Sequence, residues 1–185
     1  MKRTVLTYGL IAGGILSLMM VITMPFHASI GIDRLEVIGY TSMVLAFLLI
    51  YFGVRSYRDT VSGGALSFGR AFSVGALIVL VASACYVATW EVIYFGTDSD
   101  FVASYQEHLL EGERSRGATE AELEARRAEL ARFAEMYRNP VINVALTFLE
   151  PLPVGLLFAL VSAGLLRRKE LGSGAPGGEG EPATT

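Results

Sequence analysis

Four stretches of this chain are almost free of charge, and each is long enough to cross a bilayer: Thr4–Met24, Val37–Val54, Ala71–Trp90 and Val141–Leu166. As an α-helix the first alone would extend roughly 31 Å, about the thickness of a bilayer's hydrocarbon core. A helix is also the natural way to cross, because it satisfies its backbone hydrogen bonds internally where no water can. The alternative is a water-soluble protein with buried helices. It fails on composition, since the 185 residues are 52% hydrophobic and only 18% charged, which leaves too little polar surface to clothe four apolar helices. The expected fold is an all-α membrane protein of four transmembrane helices, spans at about 4–24, 36–54, 70–94 and 141–167, with an extramembrane helical hairpin between the third and fourth.

The fourth stretch holds a single acid, Glu150, followed by Pro151 and Pro153. Neither proline can donate a backbone hydrogen bond, so the carbonyls of Thr147 and Leu149 lose their usual helical partners. Each proline also pushes the residue before it, Glu150 or Leu152, away from helical geometry. A helix break at Pro151 and Pro153 beside an ionisable group is tolerated in hydrocarbon only when buried in protein or lining a wet cavity. Counted from Pro140, Glu150 lies about 15 Å along the helix, near mid-depth.

Asn143, Thr147 and Glu150 stand at i, i+4 and i+7 and share one helical face. They read either as a polar track or ion site beside freed carbonyls, as in carriers with discontinuous helices, or as a polar clasp between helices. One carboxylate in four spans is thin for a transport path, so the clasp leads. Glu91 completes the candidate polar membrane site. It lies about one turn inside the end of the third span, where its carboxylate can reach the headgroups.

Along the chain, Lys2 and Arg3 precede an apolar run too long for a signal peptide, which reads as an uncleaved first span. Gly9, Gly13 and Ser17 form a small-residue stripe suited to close helix contact. Met24-Pro25 ends this span, and a loop with His27, Asp33 and Arg34 leads to the second, which closes at Gly53. Gly63-Gly64 marks a tight turn, and Ser67 is an N-cap for the third span. That span is rich in small residues and ends on Trp90 and Tyr94, which read as interfacial anchors.

The polar insert, residues 98–138, carries an apolar face at Phe101, Tyr105 and Leu109, and a second at Leu123, Leu130, Ala134 and Tyr137. Gly117 separates them, Thr119 and Glu122 form a capping box, and Glu122 and Arg126 are spaced as an ion pair. Two helices lying over the bundle follow. The 171–185 tail, rich in Gly, Pro, Ala and Thr, is expected to be disordered. Lys2, Arg3, Arg55, Arg58, Arg70, Arg167, Arg168 and Lys169 all fall at one side of the spans, in short segments. Both termini are therefore expected in the cytoplasm.

The residues Tyr57-Arg58-Asp59, Gly63-Gly64, Ser67-Phe68-Gly69 with Ala71-Phe72, and Tyr137 with Asn139-Pro140 form a recognisable pattern with Thr147-Phe148-Leu149-Glu150-Pro151 and Pro153-Val154-Gly155. In these blocks the chain resembles the bacterial membrane-protein family catalogued as domain of unknown function four-one-nine-nine. The resemblance reaches to about Lys169 and implies a bacterial integral membrane protein of four spans. It implies no activity.

Catalytic patterns are weak. His108 with Glu107 and Glu111 could lend a helix face to a metal, but that spacing usually marks a solvated face and no second ligand pair follows. The one cysteine, Cys85, precludes an intrachain disulfide and reads as a small apolar filler. The sequence thus points to a non-enzymatic protein without cofactor or nucleic-acid partner, in the bacterial cytoplasmic membrane. Its leading role is a structural or interaction subunit that meets the lipid bilayer and either another membrane protein or itself. The alternative is a small carrier or channel component with a mid-membrane site at Glu150.

Overall fold

The computed structural model describes residues 1–24, 32–96 and 100–167. Within them lie seven helices: α1 (Lys2–Thr23), α2 (Ile32–Thr60), α3 (Phe68–Gly96), α4 (Asp100–Ser115), α5 (Glu120–Tyr137), α6 (Pro140–Leu149) and α7 (Pro151–Leu166). Four segments are long and apolar enough to cross a membrane: α1, Val37–Thr60 of α2, α3, and α6 with α7 taken together. Their outward surface is apolar too. Val141 is 74% and Leu165 70% exposed, a solvation suited to lipid and not to water. The expected all-α, four-span fold holds. The loop with Pro25 and His27 and the 171–185 tail lie outside the described residues.

The spans run alternately up and down around α3, which packs most closely on α1 and α7 and also meets α2 and α6. Small residues make this possible. In lipid, apolar side chains gain nothing by leaving their solvent, so helices associate through close contact. At Gly13 an added Cβ would lie 2.6 Å from the Cys85 Cβ, and at Gly155 2.5 Å from the Val79 Cγ1. The stripe predicted on the first span therefore faces α3. Its third member, Ser17, accepts a hydrogen bond from the Thr89 hydroxyl at 2.7 Å.

Two boundaries differ from expectation. Gly53, where the apolar run closes, is not a helix end, since α2 continues to Thr60. An added Cβ at Gly53 would lie 2.6 Å from Ile78 and 3.0 Å from Tyr8, so this glycine serves helix contact, not termination. The stop comes later, at Gly63 and Gly64, whose φ of 62° and 89° suit the left-handed turn into α3. There the Arg70 N–H reaches the Ser67 hydroxyl at 3.4 Å, as an N-cap should.

The second difference is at the prolines. Glu150 keeps right-handed helical angles, φ −62° and ψ −55°, so the fourth span bends without unwinding. The reason is where the prolines fall. Pro151 and Pro153 occupy the first turn of α7, where backbone N–H groups have no partner within their own helix and where proline's fixed φ fits. The break reads as the start of a new helix laid almost end to end on the old one.

Between α3 and α6 the chain forms the expected hairpin. Gly117, at φ 91°, turns α4 into α5. The Thr119 cap is reciprocal: its N–H donates to Glu122 Oε2 at 2.8 Å, and the Glu122 N–H donates back to its hydroxyl at 3.4 Å. Because Glu122 is engaged there, Arg126 does not pair with it. Arg126 instead joins the two helices, 3.2 Å from Glu113 of α4, and also meets Glu129 at 2.6 Å. Gln106 adds a second tie, donating to the Leu130 carbonyl at 3.1 Å. The side chains of Phe101 and Tyr105 lie outside the described residues.

Candidate functional site

The fourth span descends antiparallel to α3, and polar residues of the two helices pair at successive depths. Trp90 Nε1 donates to Asn143 Oδ1 at 3.1 Å. One turn deeper, the Thr147 hydroxyl donates to the same oxygen at 3.2 Å. Thr147 has then used its proton, so at 2.8 Å the Tyr137 hydroxyl must be its donor. The Asn143 amide closes the circuit by donating to the Tyr137 carbonyl at 3.4 Å. Asn143 is fully buried and Thr147 nearly so, at 0% and 4% exposure. Burial without these bonds would cost each polar group about 1–3 kcal/mol. This is a clasp, and it ties the foot of α5 to both spans. Burial also pushes the Tyr137 phenol above its ordinary range, so it stays protonated and able to donate at neutral pH.

Glu150 takes no part in that circuit. Its Oε2 accepts from the Tyr86 hydroxyl at 3.0 Å, and the carboxyl lies on the wall of a cavity. The cavity measures about 510 Å³, is lined by α1, α2, α3 and α6 with α4 and α5 over it, and is partly open to the outside. Leu16, Met19 and Met20 of α1 and Met43 of α2 give one apolar side. Tyr86, Trp90 and Tyr94 of α3, with Phe133 and Tyr137 of α5, give an aromatic one. Several rings touch. Trp90 lies 5.9 Å from Tyr94, Tyr94 meets Tyr137 edge-on at 5.4 Å, and Phe133 stacks on Tyr137 at 5.5 Å. Such contacts hold the wall in one arrangement.

The predicted polar face is thus divided. Asn143 and Thr147 are joined in the clasp, Glu150 lines the chamber beside Thr147, and Glu91 belongs to neither. One carboxylate oxygen of Glu91, Oε1, is buried without a hydrogen-bond partner among the described residues. Trp90 and Tyr94 line the chamber, a role that their reading as anchors did not include. The signal for that was their spacing: Tyr86, Trp90 and Tyr94 recur every four residues and so share one face of α3. Cys85 lies under Gly13, which suits its reading as a packing residue. Among the described residues, no three His, Cys, Asp or Glu side chains are grouped to hold a metal.

No curated protein and no solved structure matches the chain. The match lies at the level of family: residues 7–168, nearly the whole of the described bundle and hairpin, fit the family described as "Protein of unknown function (DUF4199)", and the chain belongs to that family.

Proposed function

We propose that the protein is a small carrier component, or a binding subunit of one, whose site is the chamber beneath the hairpin with Glu150 at its inner wall. The observation that carries this reading is the place of Glu150. It is the sole ionisable residue of the fourth span, and it lines a cavity of about 510 Å³ in place of being sealed between helices. Ionisable groups at membrane depth mark ligand or ion paths by default. The volume lies within the roughly 300–1,000 Å³ typical of small-molecule sites. The role is non-catalytic.

A second reading, a structural or interaction subunit, draws its support from the clasp. The Asn143 carbonyl oxygen and the Thr147 hydroxyl proton are already engaged within the protein. For either role we propose the bacterial cytoplasmic membrane, which the family resemblance implies, with the termini inside, which the basic residues at the ends of the spans support.

Reconstitution separates the two. In proteoliposomes under an imposed proton gradient, a carrier centred on Glu150 passes protons above the level of empty vesicles, and Glu150→Gln returns the flux to that level. Equal flux from parent and variant, together with loss of another membrane protein's abundance on deletion, would move the assignment to the structural role.

A further inference from the structure

The chamber's chemistry is lopsided. Its walls are mainly aromatic and aliphatic, with Thr23, Ser42, Gln106 and Thr147 among them, and among the described residues the lining holds one acid, Glu150, and no lysine or arginine. The Tyr86 hydroxyl supplies one neutral donor at 3.0 Å. A carboxylate set in a low-dielectric wall attracts positive charge far more strongly than one in water. Aromatic rings add to this, because their faces carry negative potential and hold cations within about 6 Å of the ring centre. Four rings, Trp90, Tyr94, Phe133 and Tyr137, make one continuous wall.

The same features exclude small metal ions. A divalent cation wants about six oxygen ligands or a compact set of nitrogen and sulfur donors. Here a single carboxyl stands in a space of about 510 Å³, far larger than any such ion. A compact, strongly hydrated ammonium fits poorly as well, because the apolar walls would strip its water and return little. A large cation whose charge is spread over apolar groups meets every feature: it sheds little hydration, fills the space and presents positive charge to the acid.

We propose that the chamber binds a bulky organic cation of delocalised or shielded charge, held by the Glu150 carboxylate and flanked by the aromatic wall. This rests on the chamber being a binding site. It adds the ligand's charge and bulk to that reading.

Tetraphenylphosphonium and tetraphenylborate have the same shape and opposite charge, and triphenylphosphine oxide is their neutral counterpart. Binding of each to the full chain in detergent is measured by equilibrium dialysis, with partition into empty micelles subtracted. The proposal expects saturable binding of tetraphenylphosphonium alone, weakened tenfold or more by Glu150→Gln and severalfold by Phe133→Ala. Ala134→Trp, which fills the chamber from the hairpin side, abolishes it. Phe133 takes no part in the clasp, so that variant tests the wall even if Glu150→Gln fails to fold. If the borate or the oxide binds as well as the phosphonium, and Ala134→Trp removes all three, the chamber is a site and the cation assignment is overturned. If no probe binds saturably to the folded parent, the binding-site reading falls with it.

Discussion

The same four spans close at one end of the bundle and open at the other. Towards the turn between α2 and α3, glycines face partners directly, as Gly75 does Ala159 and Gly155 does Val79. Nothing larger fits between the helices there. Towards the hairpin, the inward residues are Met19, Met20, Met43, Tyr86 and Trp90, and the helices part around a chamber. The change comes at the bend of the fourth span, where Pro151 starts α7 and Glu150 is the last residue before it. The lesson is that residue size along each span sets the separation of the helices. In lipid that separation decides where a polar group can persist: packed into a circuit, as with Asn143, or facing a cavity, as with Glu150.

The contrast is broken most severely by adding bulk to the closed end. Gly155→Leu forces a side chain onto Val79 and Phe47 and is expected to cost about 1–3 kcal/mol or more. Thermal unfolding in detergent should show a clear drop. Comparable bulk added at the open end by Ala134→Leu has the chamber to occupy and should stay within about 0.5 kcal/mol of the parent. Equal losses at the two sites would remove the distinction between the ends.

The boundary between the ends is held by the clasp. Asn143→Ala leaves the Trp90 N–H and the Thr147 hydroxyl without their shared acceptor. The loss should be about 1 kcal/mol, in keeping with the modest worth of hydrogen bonds between membrane helices. It should also loosen α5, since Tyr137 reaches this circuit through Thr147. Faster amide exchange in α5 than in α7 would report that loosening.

Much of this was legible beforehand, and the parts that were not share a cause. The spans, the hairpin and the capping box follow from hydropathy and from local spacing, which are properties of one segment at a time. The face shared by Asn143, Thr147 and Glu150 was readable for the same reason. The chamber was not, because it exists only where residues of six helices, α1 to α6, come together. Trp90 and Tyr94 look like anchors when taken alone and become wall residues only once Asn143 and Tyr137 stand opposite. Gly53, read from the sequence only as the last residue of the apolar run, admits Tyr8 and Ile78, a contact that needs a second helix to be seen. Glu150 and its prolines drew attention correctly: one helix ends at Leu149 and the next starts at Pro151, yet Glu150 between them keeps helical angles. Position within α7 outweighs proline's steric effect on its neighbour.

The smallest effect is at the hairpin's own start. The Thr119 N–H, and next its hydroxyl, hold the Glu122 carboxyl below its ordinary range. A carboxylate with a lowered folded pKa contributes stability that is present above the unfolded value and lost as pH falls through the folded one. Amide protection in the first turn of α5 should therefore be constant at neutral pH and weaken from about pH 4 downward. In Glu122→Ala it should be weak throughout, with the spans unaffected.

The central claim is that Glu150 faces an accessible chamber while the far half of the same span is sealed. A small cationic methanethiosulfonate tests it, with Cys85→Ala as the background. Glu150→Cys should be modified readily, and Ala134→Trp should slow that reaction. Ser162→Cys, at a site only 2% exposed among the packed helices, should remain inert. If the folded Glu150→Cys protein is as unreactive as Ser162→Cys, the chamber is closed and the account is wrong.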